Sequence, residues 1–178
     1  MPLLILTLAL LPLANSLFSE IYAASLRGTP QDDNVTGSAD DDRISGLGGK
    51  DILIGLQGDD ILDGGRGNDT LSGSVGNDYI FAGGDHDRAS GQEGDDEIEG
   101  EHGDDNISGG VGVDILIGGL GNDLLNGDEG NDNLFGGPGR DVLSGGPGMD
   151  YFDCGLDRDK IVDFDILNGD ARATNCEG

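Results

Sequence analysis

Fifteen aspartates recur at every ninth position without interruption: Asp33, Asp42, Asp51, Asp60, Asp69, Asp78, Asp87, Asp96, Asp105, Asp114, Asp123, Asp132, Asp141, Asp150 and Asp159. A carboxylate is a hard oxygen ligand. Calcium takes roughly six to eight such oxygens and accepts backbone carbonyls alongside carboxylates, whereas magnesium demands stricter octahedral geometry and keeps its waters. Glycine stands two places before eleven of these aspartates, at Gly49, Gly58, Gly67, Gly76, Gly94, Gly103, Gly112, Gly121, Gly130, Gly139 and Gly148. Glycine-rich turns expose carbonyls. The chemistry available to this pattern is therefore the binding of a hard divalent cation.

The elements that must position these groups follow from the same period. Gly28 to Val162 divides into fifteen nine-residue units, and Gly64-Gly65-Arg66-Gly67-Asn68-Asp69-Thr70-Leu71-Ser72 shows the pattern G-G-x-G-x-D-x-U-x, with U apolar. The eighth place reads Val35, Ile44, Leu53, Leu62, Leu71, Ile80, Ala89, Ile98, Ile107, Leu116, Leu125, Leu134, Leu143, Phe152 and Ile161, so only Ala89 is small. A helix repeats at 3.6 residues and a strand at 2, so a nine-residue period fits neither as one continuous element. It fits a coil of short strands and turns. In each x-U-x triplet the apolar residue faces inward, while Asn34, Arg43, Thr70, Arg88, Glu97 and Asn106 face water. Glycine holds the first place in thirteen units and the fourth in eleven, and both are expected to supply positive φ. Gln31, Asp40, Asp85 and Asp157 interrupt the fourth place. The unit Ala82 to Ser90 departs furthest from the pattern.

These units resemble the repeats-in-toxin (RTX, haemolysin-type) calcium-binding nonapeptide, one of the known repeat signatures. The resemblance implies an all-β fold, a right-handed parallel β-roll in which two units make one coil, six residues form a turn and three a strand. It also implies that each ion sits between turns two units apart. The place-six aspartates named above would hold it, with carbonyls near places two and four, including the eleven place-four glycines. Fifteen aspartates make thirteen same-edge pairs, an upper limit on internal calcium sites. Carboxylates stacked one rung apart repel by roughly 3 kcal/mol at ~5 Å and an effective dielectric of 20. Without cations such a stack is expected to be largely disordered.

The chain holds 36 acidic and 9 basic residues, for a net charge of −27, with 35 glycines among 178 residues. Nucleic acid is an unsuitable partner for such a surface, because phosphate binding needs clustered Lys and Arg. Residues 1–24 read as a signal peptide and leader. Their apolar run, Leu3 to Leu13, is shorter than a spanning helix needs, which favours a signal over the alternative of an uncleaved anchor, and small-x-small triplets place cleavage near 16 or 25. A secreted protein with no stable membrane span in the mature chain is expected. Residues 25–162 form the repeat array, and 163–178 a C-terminal cap or tail in which Asp163 to Leu167 continues the alternation. Cys154 and Cys176 allow one intrachain disulfide, which would staple that tail, or else two free thiols. His86 and His102 form no H-E-x-x-H pair, and no nucleophile elbow or phosphate loop is present, so no enzyme is expected. The expected function is calcium binding by a secreted repeat protein. The alternatives are an accessory module for a separate enzyme or toxin, or an adhesive or matrix protein.

Overall fold

The computed structural model describes residues 25–176. The leader therefore lies outside the described residues. Seventeen strands follow one another along the chain: β1 (Ser25–Arg27), β2 (Asn34–Thr36), β3 (Arg43–Gly48), β4 (Ile52–Gln57), β5 (Ile61–Arg66), β6 (Thr70–Val75), β7 (Tyr79–Gly84), β8 (Arg88–Glu93) and β9 (Glu97–His102). They continue with β10 (Asn106–Gly112), β11 (Ile115–Ile117), β12 (Leu124–Gly130), β13 (Asn133–Phe135), β14 (Val142–Ser144), β15 (Tyr151–Asp153), β16 (Lys160–Ile161) and β17 (Ala171–Arg172).

Odd-numbered strands form a nine-stranded parallel sheet and even-numbered strands an eight-stranded one. Each strand pairs with the strand two units on, as in Ile44 with Leu62 and Leu71 with Ala89, so the register is eighteen residues throughout the array. The fold is a parallel β-solenoid of two units per coil. Its core is a double column of place-eight side chains, Ile44 to Phe152, buried between the sheets, with Leu26, Val35 and Ile161 partly covered at the ends. Ala89 takes its rung without breaking register, pairing with both Leu71 and Ile107.

Three local expectations are corrected. Most interior strands run six residues rather than three, because parallel pairing with the neighbouring coil continues through places two and three, as in Leu47 with Gly65 and Gly48 with Arg66. Place one does not take positive φ. Left-handed backbone falls at places two and four instead, as at Gly65 (φ 96°) and Gly67 (φ 111°). Six non-glycine residues accept it at place two, Leu47, Leu56, Ser74, Gln92, Glu101 and Asp128, where an L residue is strained by ~1–2 kcal/mol. Place-one glycine serves a different need, since a Cβ at Gly64 or Gly100 would lie less than 3.0 Å from the Oδ2 of Asp69 or Asp105. Asp85 and Asp157, both at φ 82°, keep the place-four conformation that glycine usually supplies. Finally, residues 163–167 do not continue the alternation but bend away, and the last strand forms at Ala171–Arg172.

Candidate metal centre

The place-six aspartate is the last residue before each strand. The solenoid stacks these residues into two ladders, one leading into each sheet. In both, the backbone N–H of one aspartate donates to Oδ1 of the aspartate eighteen residues on. Asp69 N–H reaches Asp87 Oδ1 at 2.7 Å, Asp87 reaches Asp105 at 2.8 Å, and Asp105 reaches Asp123 at 2.8 Å. The second ladder repeats this from Asp42 to Asp60 at 2.7 Å and onward. One oxygen of each carboxylate thus holds the next rung in register.

The other oxygen has no donor. From Asp51 to Asp150 the place-six Oδ2 atoms are buried and accept no hydrogen bond. Except in the Ala82 turn, each faces the first glycine of its own turn, and in several turns the place-one carbonyl one coil on lies beside the same spot: a Cβ built on Gly118 would lie 2.5 Å from Asp123 Oδ2 and 2.6 Å from Gly136 O. A carboxylate oxygen and a carbonyl oxygen therefore border one small space beside the place-one glycine. A second oxygen-lined cradle lies at place four. There a Cβ on Gly130 would meet the Gly112 carbonyl of the coil before and lie 3.0 Å from Asp132 Oδ1, and Gly139 and Gly148 repeat the arrangement. Buried, unpaired carboxylate oxygens are costly unless a cation or proton compensates them.

The electrostatics agree. Burial is the main cause that raises these carboxyls, opposed by the N–H bond to Oδ1 and reinforced by neighbouring aspartates. Asp60, Asp69, Asp78, Asp105, Asp114, Asp123, Asp132 and Asp141 are pushed up to about 6. Asp87 and Asp96, in the middle of the stack, reach about 7. Asp51 and Asp150, nearer its ends, are raised for the same first cause. Among the described residues no three carboxylate, histidine or cysteine side chains converge as a ligand group. A cation in this array must take part of its shell from turn carbonyls, which suits calcium's tolerance of carbonyl oxygen.

Sequence reasoning missed three sets of residues. Place five carries its own outer ladder: the Asn122 N–H donates to Asp104 Oδ1 at 2.8 Å, the Asp104 N–H to His86 Nδ1 at 2.7 Å, and the Asp95 N–H to Asn77 Oδ1 at 2.8 Å. The frequency of Asp, Asn and His at that place was the available signal. Asp170 extends the second aspartate ladder, accepting from the Asp150 N–H at 3.2 Å. It escaped notice because β15 pairs with β17 across twenty residues, Tyr151 with Ala171, and because Arg172 fills the apolar place. Asp163 accepts from Ser144 Oγ, Gly145 N–H and Gly146 N–H at 2.8, 3.0 and 2.8 Å, replacing carbonyls that a further strand would have offered.

The same end is closed covalently, because Cys154 and Cys176 form a disulfide. Phe164 packs edge-on against Phe152 at 6.1 Å between ring centroids, and Arg172 lies 5.1 Å over the Phe164 ring. No described helix is long and apolar enough to cross a membrane.

Comparison with known families gives one match. The family model "RTX calcium-binding nonapeptide repeat (4 copies)" matches residues 27–62, 54–89, 81–116, 90–125 and 126–161. No curated protein matches the chain.

Proposed function

The chain belongs to the RTX calcium-binding nonapeptide repeat family, and from that premise we propose that it is a secreted, non-enzymatic protein that takes up many calcium ions between its stacked turns and folds as they bind. The observation that carries this reading is the run of buried place-six Oδ2 atoms, from Asp51 to Asp150, that have no proton donor, several of them beside a carbonyl of the next coil. Bound calcium would supply the positive charge that compensates such oxygens. The holding residues would be those aspartates with the place-one and place-four carbonyls beside them. Family membership and the Cys154–Cys176 disulfide support an extracellular setting.

Circular dichroism tests it. In excess chelator the chain should lose its β signal and regain it cooperatively as calcium rises into the ~10⁻⁴–10⁻³ M range of extracellular modules. A β spectrum in chelator that millimolar calcium leaves unchanged would overturn the reading.

One observation favours an accessory or adhesive role for the folded roll. The outer face of the odd-numbered sheet carries Tyr79, half exposed, with Phe81, Ile115, Ile117, Phe135 and Tyr151 half-buried beside it. Adsorption of the calcium-loaded protein to an apolar or polysaccharide matrix, lost in a Tyr79→Ser, Phe81→Ser variant that still folds, is the expected result. Equal adsorption by the variant would remove this role.

A further inference from the structure

The first two turns, and the tail residue Asp170 that finishes the second ladder, handle their carboxylates differently from the turns between. In the first turn, Asp33 Oδ2 accepts from the Thr29 N–H at 2.6 Å and from Thr29 Oγ1 at 2.9 Å. In the second, Asp42 Oδ2 accepts from the Ser38 N–H at 2.6 Å. At the far end, Asp170 Oδ2 accepts from the Asp165 N–H at 2.7 Å while its Oδ1 takes the Asp150 N–H. These three carboxylates already have donors on both oxygens or on the oxygen that the interior turns leave bare.

The carbonyls differ too. Beside an interior place-four glycine the nearest atom of the preceding coil is the place-four carbonyl oxygen, as at Gly67, Gly76 and Gly94. Beside Gly49 and Gly58 the nearest atoms are the carbonyl carbon of Gln31 or Asp40 and the nitrogen that follows it. The place-four peptides of the first two turns are rotated. Gln31 and Asp40 lie outside the left-handed residues, whereas Asp85 and Asp157 join the glycines there. At these turns, then, the carboxylate oxygen is spoken for and the carbonyl oxygen lies farther off, 2.8 Å at Gln31 and 2.9 Å at Asp40 from the Cβ position, instead of nearest to it.

We infer that Asp33, Asp42 and Asp170 are hydrogen-bond anchors and not calcium ligands, so that the N-terminal end of both ladders and the C-terminal end of the ladder that finishes at Asp170 are closed by protein donors and need no calcium. The inference rests on the calcium reading above. A cation at these three residues would have to displace N–H or O–H donors from the oxygen it binds, whereas in the interior it meets oxygens with nothing to lose. Protein donors thus stand where the coil has a neighbour on one side only, and a shared ion would be half-coordinated.

Calcium per chain, measured by equilibrium dialysis on the full-length protein, tests this. Asp33→Asn, Asp42→Asn and Asp170→Asn should each bind as many ions as the unsubstituted chain, with a midpoint changed less than about twofold. Asp96→Asn, in the interior, should bind fewer ions and raise the midpoint several-fold. The β signal at saturating calcium confirms that each variant folds. If Asp170→Asn does not fold, Asp33→Asn and Asp42→Asn decide the matter at the other end. Loss of an ion from a folded terminal variant would overturn the inference and leave the calcium reading standing, whereas no calcium bound by the unsubstituted chain would overturn both.

Discussion

Asp105 and Asp170 occupy equivalent ladder positions in different surroundings. Both accept an N–H from the aspartate one coil back, Asp87 in one case and Asp150 in the other. The second oxygen of Asp105 is buried beside Gly100 with no donor, while that of Asp170 receives the Asp165 N–H. The interior is a repeated structure that leaves one oxygen per turn bare, and the irregular segment around Asp170 leaves neither of that residue's oxygens bare. The difference teaches that a nearby N–H, and not the period itself, decides whether the second oxygen is satisfied. In the first two turns the place-two N–H of Thr29 or Ser38 reaches it within an unbroken period, and at the far end residues 163–170 break the period to bring the Asp165 N–H.

The comparison can be broken first by protonation. The interior carboxyls are raised from 3.8 to about 6 or 7, burial being the chief cause. The folded form therefore holds protons that the unfolded chain has released. A group raised on folding destabilises the fold above its folded pKa, and that penalty fades as the pH falls toward the unfolded value. In chelator, β content should rise as the pH is lowered from about 7 to about 4, and in calcium the midpoint should rise over the same window as protons compete. A chelated sample whose dichroism stays flat across that range would show that the bare oxygens are not what unfolds the interior.

Neighbouring aspartates in one turn sharpen the contrast further. Asp105→Ala removes an oxygen pair from the interior ladder and should raise the calcium midpoint several-fold and lower cooperativity, since each coil supports only its neighbours. Asp104→Ala loses only exposed hydrogen bonds from the Asn122 N–H and Nδ2 and relieves some self-repulsion, so it should shift the midpoint little. Dichroism titrations of the two variants at fixed ionic strength compare them, and equal shifts would mean that bulk charge, not ladder position, binds the ions.

Reducing the Cys154–Cys176 disulfide attacks the end and spares the interior. It should cost ~3 kcal/mol by the chain-entropy argument and lower the melting temperature of the calcium-loaded protein, while the number of ions bound stays constant. A fall in that number on reduction would show that the end and the ladder are one unit.

The smallest effect is expected at place two. Leu56 sits at φ 92° with its side chain largely exposed, so Leu56→Gly should relieve ~1 kcal/mol of backbone strain and shift the calcium midpoint slightly downward. A shift upward would mean that the exposed side chain packs against something that outweighs the strain.

Much of this molecule could be read before any coordinates. The nine-residue period fixed the coil, the eighth place named the core from Ile44 to Phe152, and the sixth named the ladder, because each is a requirement that every turn repeats. Two cysteines left one possible pairing, and it forms. Properties that depend on what lies one coil away were not legible. Place-one glycine looks like a turn residue until the Oδ2 of its own aspartate is seen to occupy the space a Cβ would need. Place five looks unconstrained until its side chains are seen to accept N–H groups from the next coil. Asp163 and Asp170 looked like tail. Sequence determined which residue types recur and hence the coil, the core and the aspartate ladder, while the tertiary structure alone decided which oxygens find a donor, because a hydrogen bond is set by the neighbour in space and the ends of the roll have different neighbours from its middle.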